Sequence, residues 1–156
     1  MDIGKFIDEY VATKDPSAKE RLAKKHVKTT YVSYAKKIDD AKKIVKHSCY
    51  DANERFTVNS PMRYMLFIIC VVTNYTDLEF SKENTLEQFD LLLKHGIAET
   101  LISIIGNDYG SFETVLNMTF DDEYENNRSI TSFTEHKMEA ILTALEAMSI
   151  EDNSVD

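Results

Sequence analysis

Apolar residues recur along this chain at three- and four-residue intervals, and that spacing predicts helices. Ile3, Phe6, Ile7, Tyr10 and Val11 make one stripe, for a helix over about 3–13. Asp15-Pro16 has the chemistry of an N-cap followed by an N1 proline. It opens a short basic helix to about Val27, loosely held because Leu22 and Val27 are its only large apolar residues. Thr29-Thr30 opens a third helix, roughly Val32 to Ser48, with Tyr34, Ile38, Ala41, Ile44 and Val45 on its inner face. Ser60-Pro61 launches Met62 to Asn74, which is apolar nearly all round. A helix of that kind is buried on most sides, so it is the expected central helix.

Thr85, with Gln88 three residues on, has capping-box spacing. The helix it opens carries Leu86, Phe89, Leu92 and Leu93 as its stripe and stops at Gly96, the expected C′ glycine. A short helix over 97–105 ends at Gly106. Ser111 caps a helix to about Asn126, with Phe112, Val115, Leu116, Thr119 and Phe120 inward. The last helix, about 130–148, has the cleanest stripe in the chain: Phe133, Met138, Ile141, Leu142, Leu145 and Met148. Residues 55–58 and 76–80 lack helical period and are candidates for a small two-stranded ribbon. The expected architecture is mainly α, a single-domain bundle of about six or seven helices over 1–148 around a buried central helix. Residues 149–156 form an acidic tail expected to fray.

Composition supports that class. Four glycines and two prolines among 156 residues leave few breakers, and a 43% apolar share suffices for one core. The longest apolar run, Tyr64 to Val72, would span about 14 Å as a helix against roughly 30 Å of hydrocarbon, so no membrane span is expected. Residues 1–20 carry charge throughout, unlike a secretory signal. Cys49 and Cys70 lack paired spacing; Cys70, inside the apolar run, reads as a small core residue, and two such cysteines fit a reducing compartment.

Charge changes the picture more. The chain is at −9, yet residues 14–47 hold eleven Lys/Arg against four Asp/Glu, while residues 48–156 hold six against twenty. The basic stretch reads first as solvated lysine faces offset by the acidic remainder. It also reads as a nucleic-acid contact through Lys24, Lys25, Lys28, Lys36, Lys37, Lys42 and Lys43, with Tyr31 and Tyr34 available for stacking. A third reading is a homo-oligomer in which the basic end of one subunit meets the acidic end of the next. The acidic residues Asp108, Glu113, Asp121, Asp122, Glu123 and Glu125 read as a solvated helix face or as a mimic of a phosphate backbone. Consecutive helical positions diverge and no EF-hand loop is present, so no metal is assigned to them.

The search for chemistry returns little. His26, His47, His95 and His136 are scattered without metal-ligand spacing, and neither a nucleophile elbow nor a phosphate-binding glycine loop occurs. His95, just before the C′ glycine, reads as structural. Cys49 and His47, two apart on a helix, do not face each other. The expectation is no catalytic residue, no metal and no cofactor.

Four segments carry a resemblance. They are Lys25 to Val32, Val58 to Phe67, Tyr75 to Glu79, and Phe112 to Asn126 with its Met-Thr-Phe-Asp-Asp core. In that order the chain resembles small uncharacterised helical proteins encoded by bacteriophages of Gram-positive bacteria. The resemblance implies a protein working in the host cytoplasm or in the virion, and it implies no site residue. The leading expectation is therefore a non-catalytic phage protein that binds other proteins, in particle assembly or on a host factor. An acidic nucleic-acid mimic that inhibits a host enzyme, and direct nucleic-acid binding through residues 14–47, stand as alternatives.

Overall fold

The first four helices begin where a side chain satisfies an unpaired amide of the first turn. In the computed structural model Asp2, Asp15, Ser33 and Asn59 accept from the backbone N–H of Lys5, Ala18, Lys36 and Met62. They start α1 (Ile3–Ala12), α2 (Pro16–His26), α3 (Tyr34–Cys49) and α4 (Ser60–Tyr75). There follow α5 (Thr85–Lys94), α6 (Ile97–Ile105) and α7 (Asn107–Asp152). Backbone is described for residues 1–152, and side chains for all of these except 131, 132, 136 and 144–152. The protein is mainly α: helices make up 76% of it, with no strand among the described residues.

The chain divides into two units, Met1–Thr119 and Phe120–Asp156. In the first, α3 packs along α4, α6 meets α2, α4 and α5, and α1 lies against α5 and α2. Ile3, Phe6, Val71, Tyr75, Leu92, Ile97, Leu101 and Phe112 are almost wholly buried there. Phe112 enters edge-on against Phe67 of α4, with ring centroids 5.3 Å apart, and fastens the start of α7 to the core. Gly96 and Gly106 both have left-handed φ, 66° and 71°, which a side chain would strain. They let α5, α6 and α7 follow one another with almost no loop.

The expected ribbon does not form. Residues 55–58 and 76–80 lie at opposite ends of α4, about 24 Å of helix apart, and each pairs with a nearer neighbour. Phe56 bridges Tyr50 at the end of α3, with Thr57 N–H donating to the Cys49 carbonyl. Thr76 bridges Val27, and Glu79 bridges Asp2. The 76–80 segment thereby ties the N-terminus and the exit of α2 to the end of α4.

Other expectations shift in phase. The inner face of α3 is Lys37, Asp40, Ala41, Ile44, Val45 and Ser48, which leaves Tyr34 59% exposed rather than inward. Leu86 is exposed as well, because the first turn of α5 is held from its other side: Thr85 Oγ1 donates to the Ser81 carbonyl and Gln88 Oε1 accepts from Ser81 N–H. The α4 helix is buried mainly in its second half, with Tyr64 50% exposed in the first. Ser111 caps nothing. The two last helices expected from the sequence are one, α7, 46 residues long. The expectation of fraying over 149–156 falls partly on residues 153–156, which lie outside the described residues. So do the side chains of Leu145 and Met148.

Candidate functional site

The basic residues of 14–47 do not form one open face. The α2 helix packs on α6 and α1, whereas α3 packs on α4, so their lysines sit on different supports. Lys24 pairs with Glu20 at 2.6 Å and Lys43 with Asp39 at 2.8 Å, both one helical turn apart and exposed. Lys36 pairs with Asp40. Lys28 donates to the Thr73 carbonyl at 2.9 Å. Lys25 and Lys42 are exposed, as are Tyr31 and Tyr34. Most of the lysines assigned to a nucleic-acid face are thus engaged by groups of the chain itself.

Lys37 is the clearest correction: it is 2% exposed and belongs to the core. Its Nζ donates to Asp108 Oδ1 at 2.6 Å and to Ser111 Oγ at 3.1 Å. Asp108 Oδ2 also accepts from Tyr75 OH at 2.7 Å and from the Val32 amide at 2.9 Å. Burial works against the ionised carboxyl of Asp108, yet the bonds from Lys37, Tyr75 and Val32 hold it below the usual Asp range. Burial and the Asp108 carboxylate push the Tyr75 hydroxyl well above the ordinary tyrosine range. Four segments meet at this one carboxylate, so Asp108 is a structural node and not part of an acidic surface. A second node joins α3 to α4, where Asn74 Nδ2 donates to Asp40 at 2.8 Å and to Cys70 Sγ at 3.2 Å. Burial and neighbouring Asp40 raise the Cys70 thiol to about 12, so it is no thiolate nucleophile. Cys49 and Cys70 are both unbridged.

His26, not singled out in the sequence, is buried with Nδ1 2.8 Å from Asp77 Oδ1 and its ring 5.2 Å from that of Phe6. This contact adds a polar tie to the few apolar residues that hold α2. The only sequence signal was a histidine in phase with Ala23. An open groove of about 410 Å³ is lined by Tyr10, Lys19, Glu20, Glu99, Thr100 and Ser103 among others. Tyr10 OH meets Thr100 Oγ1 there at 2.9 Å, and Lys19 lies over the Tyr10 ring. Among the described residues no three His, Cys, Asp or Glu converge as a cation site, and no helix is long and apolar enough to cross a membrane.

The remaining acidic residues separate by unit. Glu113 is exposed on the first unit, where together with burial it raises the Tyr109 hydroxyl to about 12. Asp121, Asp122 and Glu125 are exposed on the second and Glu123 is half-buried. In that second unit Ile130, Phe133, Met138, Ile141 and Leu142 are 57–66% exposed, the largest run of open apolar side chains along one element. Phe133, Met138, Ile141 and Leu142 belong to the periodic stripe expected of the last helix, and among the described side chains they stand open together with Ile130. Scattered exposed apolar residues are ordinary; five on one half of a helix are not.

Neither the known protein families, nor the curated proteins, nor the solved structures contain a match to this chain.

Proposed function

We propose that this chain is a non-catalytic binding protein that acts through protein–protein contact, made by the distal face of α7. The observation that carries this reading is the open stripe of Ile130, Phe133, Met138, Ile141 and Leu142. An amphipathic helix gains most of its stability from burying such a face, so a helix that presents one open to water is built to be covered. The reading is also supported by how fully the polar clusters are occupied with holding the fold: Lys37, Asp108 and Tyr75 in one, Asp40, Asn74 and Cys70 in the other. In the phage setting that the sequence resemblance implies, the proteins so bound belong to particle assembly or to the host.

The test is affinity capture of the tagged full chain from cells that also make an untagged copy. Wild type is compared with the double variant Ile141→Glu, Leu142→Glu. Stripe-dependent capture of any protein, the untagged copy included, is expected. Equal capture by both chains would remove the reading. A second reading, an acidic mimic of nucleic acid, is favoured by the net −8 of residues 120–156 and by the exposure of Asp121, Asp122 and Glu125. Asp121→Lys with Asp122→Lys should then abolish binding to a nucleic-acid-handling partner and leave stripe-dependent capture intact.

A further inference from the structure

We draw no further inference here: the strongest candidate, the open apolar face on the distal stretch of α7 formed by Ile130, Phe133, Met138, Ile141 and Leu142, is already the surface of the proposed function, and nothing in the structure shows what covers it.

Discussion

The two stretches of α7 carry the same kind of apolar spacing and meet opposite fates. Over its first turns Phe112, Val115 and Leu116 are at most 6% exposed, with Phe112 seated against Phe67 of α4. Farther along, Ile130, Phe133, Met138, Ile141 and Leu142 are more than half exposed. Periodicity reports that a face is apolar, because a helix repeats its sides every 3.6 residues. It does not report whether another element of the same chain will lie on that face. The difference is one of partners and not of pattern.

The strongest way to break this comparison is to truncate a ring on each side of it. Phe112→Ala should cost about 3–5 kcal/mol, through lost burial and the cavity left beside Phe67. Phe133→Ala should stay within about 0.5 kcal/mol in the isolated monomer, as exposed positions do. Urea unfolding of the two variants measures both, and equal losses would mean that the distal stripe is covered after all.

The next largest effect sharpens the comparison at the node that holds the start of α7. Removing one partner of a buried ion pair strands the other, so Asp108→Ala should cost about 3 kcal/mol near neutral pH. Asp108 is held below its ordinary value of 3.8. Its contribution is therefore present in full above that value and is lost as pH falls through the depressed one. The variant and the wild type should accordingly converge in stability in strong acid, which denaturant melts at several pH values would show. A gap that stays constant down to the lowest pH would remove the assignment of an ionised Asp108.

The smallest effect concerns the surface. Lys42→Glu and Lys25→Glu reverse exposed charges and should each change stability by less than about 0.5 kcal/mol. Neither should reduce capture through the α7 stripe. A marked loss of capture in either would return residues 14–47 to candidacy as a contact surface.

Much of the helix inventory was legible because its signals are local. Asp15-Pro16, Gly96 and Gly106 punctuate the chain where the structure begins or ends a helix. The phase of α3 was not legible. Lys37 and Asp40 are charged, and charged residues go inside only when a partner waits there; the partners are Asp108, 71 positions away, and Asn74, 34 positions away. Periodicity read without those partners turned Tyr34 inward and Lys37 outward. The union of the last two helices was hidden for a related reason. Residues 127–129, Asn-Arg-Ser, look like a break, yet none of them is a proline or a glycine that would enforce one.

By itself, then, the sequence determined the helical class, most helix ends and the apolar identity of each face, because caps, breakers and side-chain spacing act within a few residues of chain. The tertiary structure alone decided which charges enter the core, where the 55–58 and 76–80 segments find their backbone partners, and which apolar face is left open. Those outcomes depend on groups brought together from distant positions, and burial is a property of the neighbour as much as of the residue.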